Sequence, residues 1–103
     1  MSWQPTELER KLLAHVIDRN GSRRQEMKAV EEYAEAAAAI ARFTNRTHGH
    51  GDRLEDVAEE LADTEIMHAQ LHMIHPEIEA VISTIRARKL AVMAVRFNFP
   101  ETI

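Results

Sequence analysis

The spacing of apolar residues along the chain predicts four helices joined by short connections. Apolar side chains recur every three or four residues, which is the period of an α-helix with one face turned toward a core. Thr6 and Glu9 have the spacing of a capping box, and the leucines, valine and isoleucine that follow them support a first helix. We expect this helix to end near Asn20 and Gly21.

The other three helices are predicted from similar signals at their ends. Ser22 is expected to cap a second helix that runs to Phe43 without a glycine or proline. Asp52, at the end of a loop rich in glycine and histidine, is expected to cap the third helix. Pro76 is expected to close the third helix and to lie in the first turn of a fourth, which continues to about Arg96.

Length and composition favour a single helical domain over residues 1–103. The chain has 103 residues, 45% of them hydrophobic, with only three glycines and three prolines, so a turn-rich β architecture is not expected. We therefore predict an all-α fold, a small four-helix bundle. Because four short helices enclose little core, we expect oligomerisation to complete it, as a homodimer or homotetramer.

Charge and cysteine content narrow the classes of partner. A formal charge of −4 provides no basic field for duplex nucleic acid. The absence of cysteine excludes disulfides and thiolate metal sites and is compatible with a reducing compartment. No apolar run is long enough to predict a membrane span or a signal peptide, so a cytoplasmic location is expected.

Carboxylates occupy helix positions where a core is expected. On the third helix, Glu60 lies in the middle of the apolar stripe and Asp63 lies at its edge. On the second, Glu32 lies in line with the alanines and Glu35 flanks it. An unpaired buried carboxylate is costly, so it must be protonated, paired or bound to a cation. Two acidic pairs without cysteine favour Mg²⁺, with Mn²⁺ as a substitute.

The fourth helix supplies cations. Lys89 lies at the centre of its apolar stripe, and Arg96 follows two turns later, so both are expected to reach an inward-facing phosphate. An alternative stays open at this stage: the acidic residues lie on solvent-exposed faces, and Lys89 extends out of the stripe.

The runs EEYAE and EELAD, with the residues around them, resemble the MazG-like branch of the all-α nucleoside triphosphate pyrophosphohydrolases. The resemblance covers about residues 22–96. It rests on eight residues: Gln25, Lys28, Glu31, Glu32, Glu35, Glu59, Glu60 and Asp63.

The resemblance implies that Mg²⁺ binds to two acidic pairs, Glu32 with Glu35 and Glu60 with Asp63. The implied reaction is attack of water on the α-phosphorus of a nucleoside triphosphate, which yields the monophosphate and pyrophosphate. Glu35 and its neighbour Glu31 are the candidates for the catalytic base. The implied substrate contacts are Gln25, Lys28, Lys89 and Arg96.

One departure leaves the nucleotide unidentified. Met93 stands where members of the family tend to carry an asparagine. Phosphoribosyl-ATP pyrophosphohydrolase is a related alternative with a similar K-x-x-E-E-x-x-E run, but its histidine after the aspartate is not matched, because His68 is displaced by one position.

Two further functions remain as alternatives. One is a helical interaction module without catalysis, in which the alanine-rich helix packs against a partner. The other is a transition-metal site on the third helix, where His68, His72 and His75 share a face and Glu65 precedes them. A ferritin-like di-iron bundle would need a second Glu-x-x-His on another helix, and the sequence has none.

Overall fold

The chain is all-helical in a computed structural model that describes residues 3–46 and 53–103. It contains α1 (Glu7–Asn20), α2 (Ser22–Thr44), α3 (Leu54–Ile74) and α4 (Ile78–Arg96), and no strand occurs within those residues. The predicted all-α fold with four helices is confirmed.

The start of α1 and its junction with α2 are set by local hydrogen bonds. Thr6 and Glu9 form the predicted capping box: the Glu9 backbone N–H donates to Thr6 Oγ1 at 3.1 Å, and the Thr6 N–H donates to Glu9 Oε1 at 2.7 Å. Gly21 lies between the helices with φ at +89°, a conformation that favours glycine. The predicted Ser22 cap is wrong, because Gly21 precedes α2 without a side-chain cap and Ser22 is already helical.

The starts of α3 and α4 also differ from the prediction. Asp52 lies outside the described residues. The Arg53 backbone N–H donates to Asp56 Oδ2 at 2.8 Å, and α3 begins at the next residue. Pro76 lies in the turn between α3 and α4 rather than in the first turn of α4, which begins at Ile78. The end of α4 at Arg96 agrees with the prediction.

The core lies between α2 and α3 and is built from small residues on the α2 side. Ala29, Ala36 and Ala39 are at most 4% exposed. Val57 and Met67 of α3 are the buried apolar residues that accompany them. Because alanine has no side chain beyond Cβ, α2 and α3 can pack closely along this face.

A chain of amide hydrogen bonds ties α1 to this pair of helices. Asn20 Nδ2 donates to Gln25 Oε1 at 2.8 Å, and Gln25 Nε2 donates to Gln70 Oε1 at 2.8 Å. Gln70 Nε2 in turn donates to the Leu13 carbonyl at 3.2 Å. Gln25 and Gln70 are both buried, so each would leave unsatisfied polar groups behind if the other were removed.

Helix α4 buries none of its residues and makes no extensive contact with the other three helices. Ile78, Ile82 and Ile85 are half-buried, whereas Lys89 is exposed. The prediction that Lys89 points inward is therefore wrong for the single chain. The physical reason is that α4 follows the turn at the end of α3 without packing along the bundle, so its stripe has no core to face.

The single chain exposes more surface than its size accounts for. Its accessible surface is 8250 Å², whereas a folded monomer of 11.8 kDa is expected to expose about 5,900 Å². The radius of gyration is 17.0 Å, compared with about 13 Å for a compact chain of this length. No helix in the described part of the chain is long and apolar enough to cross a membrane.

The alanine interface between α2 and α3 yields a stability prediction. Ala39 is fully buried and its neighbour Ala38 is exposed, so the two form a matched pair on one helix. Ala39→Leu is expected to lower the free energy of unfolding by about 1–3 kcal/mol because the added side chain has no space. Urea denaturation measures this difference; an equal effect of Ala38→Leu would contradict the packing described.

Candidate metal centre

Glu32 is a buried carboxylate at the α2–α3 interface. It lies on the same face of α2 as Ala29 and Ala36 and is 7% exposed. Lys28, one turn earlier on the more exposed edge, places its Nζ 3.1 Å from Glu32 Oε1. The second oxygen, Oε2, is buried and has no hydrogen-bond partner among the described residues. One oxygen of this carboxylate is therefore buried without a hydrogen bond to stabilise it, in a position where a negative charge is costly.

Helix α3 brings two more carboxylates to the same place. Glu60 and Asp63 are three residues apart, so they share a face of α3, and both are half-buried. One oxygen from each of Glu32, Glu60 and Asp63 lies within 4.8 Å of the others. Glu60 Oε2, like Glu32 Oε2, is buried without a hydrogen-bond partner in the described ranges. The structure thus brings together three of the four predicted metal ligands.

The proximity of these groups raises the pKa values of the two α3 carboxyls. Burial raises the pKa of Glu60, and the charges of Glu35, Asp63 and Glu32 raise it further. Burial also raises the pKa of Asp63, as do the charge of Glu32 and a hydrogen bond with it. Both carboxyls are therefore more easily protonated than usual, as expected where burial and neighbouring negative charges act together.

The donor set fits a hard divalent cation. Oxygens bound to one Mg²⁺ at about 2.1 Å lie about 3–4 Å apart, which is within the spacing of the three carboxylate oxygens. A bound cation would neutralise the negative charge that the three carboxylates share. All three donors are carboxylate oxygens, the class that suits Mg²⁺ and Mn²⁺ better than zinc or copper.

The remaining predicted acidic residues lie around this group of three. Glu35 is exposed and lies outside the group, although its charge contributes to the raised pKa of Glu60. Glu31 is also exposed and lies 3.7 Å from Lys28 Nζ. The hydrogen bond with Glu32, together with the charges of Glu32 and Glu31, raises the pKa of Lys28.

The other predicted substrate contacts divide into two cases. Gln25 is 5% exposed, and both of its amide atoms bond within the fold, so the structure gives it a role in holding α1, α2 and α3 together. Lys89 and Arg96 are exposed on α4 and border a concavity of about 430 Å³ with Met93 and Phe97. None of the three grouped carboxylates borders that concavity, so α4 of the same chain does not bring these cations to them.

Sequence reasoning missed two buried polar residues on α3. Thr64 is 8% and Gln70 is 2% exposed. Both fall on the stripe of Val57, Glu60 and Met67 at intervals of three or four residues. Accepting polar residues as members of that stripe, as was done for Glu60, would have found them.

The chain was compared with protein-family models, curated proteins and solved structures, and none of them matches it.

The raised pKa values of Glu60 and Asp63 predict a pH effect on stability. Their ordinary values are 4.5 and 3.8. The folded chain binds a proton at each of these two carboxyls more tightly than the unfolded chain does. The contribution of the two carboxyls to the free energy of unfolding therefore decreases as the pH rises above 4.5 and through their raised pKa values. Denaturation of the protein in EDTA over this range is expected to show the decrease, and Mg²⁺ to reverse it.

A matched pair of variants isolates this effect from other titrating groups. Glu32→Gln removes one of the three grouped charges and is expected to flatten the decrease in EDTA. Glu31→Gln removes an exposed charge on the same helix. It is expected to leave the decrease of stability with pH unchanged. An equal slope in Glu32→Gln and the unmodified chain would show that the three carboxylates do not interact.

Proposed function

We propose that the protein is a Mg²⁺-dependent nucleoside triphosphate pyrophosphohydrolase of the cytoplasm, which cleaves a ribo- or deoxyribonucleoside triphosphate to the monophosphate and pyrophosphate. The observation that carries the proposal is the buried carboxylate of Glu32, which has one oxygen without a hydrogen-bond partner among the described residues and which lies in a group with Glu60 and Asp63 between two helices. Burial makes a shared negative charge costly, and a bound cation would offset that cost. The resemblance of the EEYAE and EELAD runs to MazG-like enzymes supplies the reaction.

Each carboxylate has a distinct part in this mechanism. Glu32, Glu60 and Asp63 would hold the ion, and Glu35 is exposed beside them. An ion bound there would supply charge neutralisation of the triphosphate, which favours attack at the α-phosphorus. Glu35, or Glu31, accepts the proton of the attacking water. A bond then forms between the water oxygen and the α-phosphorus, and the bond to the bridging oxygen breaks, which releases pyrophosphate.

The positive charge of the substrate site is proposed to come partly from a second copy of the chain. Lys28 is near the carboxylates, but it already pairs with Glu32. The other predicted cations, Lys89 and Arg96, are exposed on α4. The chain exposes about 2,300 Å² more surface than a compact monomer of its size, which is within the range that obligate dimers bury.

Charge and apolar surface favour an association that sets α4 against the acidic face of a partner. Helix α4 combines exposed apolar residues with positive charge, whereas the face around Glu32 and Glu60 is negative. A homodimer, or a homotetramer built from such dimers, would cover the apolar surface and bring Lys89 and Arg96 to the carboxylates of the neighbouring chain. The exposed residues of α4 that it would cover include Val81, Leu90, Val92, Met93 and Val95.

Removal of a metal ligand tests the proposed reaction. Purified protein incubated with Mg²⁺ and a panel of nucleotides, including phosphoribosyl-ATP, is expected to release pyrophosphate and a monophosphate, resolved by ion-exchange chromatography. Glu32→Gln and Asp63→Asn are each expected to lower the rate by about 100-fold or more, because even residues that only orient a metal ligand contribute about 10–100-fold. Their far-ultraviolet circular dichroism is expected to stay helical.

Glu55→Gln is the control for this series, because Glu55 is an exposed acidic residue in the first turn of α3. It is expected to retain full activity. Unchanged turnover in Glu32→Gln or Asp63→Asn would contradict the metal assignment. Absence of turnover with every nucleotide would favour the interaction module instead.

Mixing the variants Lys89→Ala and Glu32→Gln tests whether the site is shared between chains. Lys89→Ala is expected to lower activity, and Glu32→Gln to abolish it. If Lys89 acts on the site of the partner chain, a dimer that contains one copy of each variant has one intact site and one site that carries both substitutions. Co-refolding in equal amounts makes about half of the dimers mixed, so roughly one quarter of the original activity is restored. Each variant refolded alone is the control. No recovery in the mixture would contradict a shared site.

A further inference from the structure

Two histidines on α3 lie together in a cavity away from the carboxylates. The ring centroids of His68 and His72 are 4.3 Å apart, as expected for residues four apart on one helix face. Both border a cavity of about 780 Å³, to which Glu65 and Glu79 also contribute. None of Glu32, Glu60 and Asp63 borders it, so the proposed Mg²⁺ site does not account for it.

His72 is held in the orientation of a metal ligand. Its Nδ1 lies 3.3 Å from Oε2 of Glu79, in the first turn of α4. This contact favours the tautomer with the proton on Nδ1 and leaves the lone pair on Nε2. That Nε2 is buried and has no hydrogen-bond partner among the described residues. Metal-binding histidines typically donate their other N–H to a carboxylate in this way.

The third histidine expected on this face, His75, lies just after the end of α3 and has a different role. His75 Nε2 lies 2.9 Å from Glu26 Oε2, so it joins the end of α3 to the start of α2. It has a partner already, and the structure does not place it among the residues that border the cavity. The pair His68 and His72 is therefore the candidate, rather than the set of three suggested by the sequence.

The chemistry of the pair selects a different ion from that of the carboxylates. Imidazole nitrogens suit Zn²⁺ and its neighbours in the transition series, whereas Mg²⁺ prefers oxygen. Two histidines four residues apart on a helix are a known zinc-binding arrangement.

We propose that His68 and His72 form a second metal site, which binds one Zn²⁺ ion per chain and in which Glu79 orients His72. Water completes the coordination. Because Glu79 belongs to α4, the ion strengthens the attachment of α4 to the end of α3. The site is independent of the proposed pyrophosphohydrolase activity.

Competition with a chromogenic zinc chelator, in excess Mg²⁺ so that the carboxylates are occupied, tests the proposal. The unmodified chain is expected to withdraw one Zn²⁺ per chain. His72→Ala is expected to abolish this binding. Glu79→Gln is expected to weaken it by about 10–100-fold, which is the usual effect of losing a residue that orients a metal-binding histidine. His15→Ala, which removes an exposed histidine of α1, is the matched control and is expected to bind as before.

Cobalt substitution provides a second measurement that does not depend on affinity alone. Co²⁺ bound to the unmodified chain is expected to show visible absorption bands that are lost in His68→Ala and His72→Ala, while circular dichroism confirms that both variants are folded. Retention of zinc binding in His72→Ala would overturn the proposal. Loss of binding in Glu32→Gln instead would assign the ion to the carboxylates and would overturn it as well.

Discussion

The close approach of α2 and α3 is the constraint on which the rest of the structure depends. Ala29, Ala36 and Ala39 have almost no side chain to separate the two backbones. This proximity carries Glu32 into the interface, where one of its oxygens has no hydrogen-bond partner in the described part of the chain. A bulkier core would hold the helices apart and allow solvent between the carboxylates. The same packing that gives the fold its small core therefore creates the electrostatic conflict of the candidate site.

This electrostatic conflict opposes the stability of the fold at the candidate site. Three carboxylates with oxygens within 4.8 Å of one another repel when ionised, and Lys28 pairs with only one of them. Proteins keep such arrangements where a ligand compensates for them. Mg²⁺ would bind the folded chain and not the unfolded one, so its binding free energy would add to the stability of the fold.

Much of the helix pattern could be predicted from the sequence, because capping and periodicity are local. The Thr6 and Glu9 cap, the ends of α1 and α4, and the inward position of Glu32 all follow from spacing along one helix. Periodicity reports which residues share a face but not whether another element covers that face. For that reason Lys89 was expected inside the fold and is exposed on α4.

The candidate site shows the same division between local and long-range information. Two acidic pairs at helical spacing predicted carboxylates on shared faces, and the structure brings three of the four together. It could not be read from the sequence that Gln25 bonds to a residue 45 positions away. Likewise, the contact of His72 with Glu79 depends on the path of the chain at the α3–α4 turn, which spacing within α3 does not specify.

The amide chain from Asn20 through Gln25 and Gln70 to Leu13 has a consequence for motion. Helix α1 buries one residue, Leu13, and is otherwise held by these hydrogen bonds. With so little apolar area to lose, α1 is expected to detach from α2 and α3 at a lower free energy than is needed to separate α2 from α3. Amide protons of α1 would then exchange with solvent through this partial opening, and they would exchange faster than those at the α2–α3 interface. In this motion α2 and α3 stay together as one rigid unit while α1 moves relative to them.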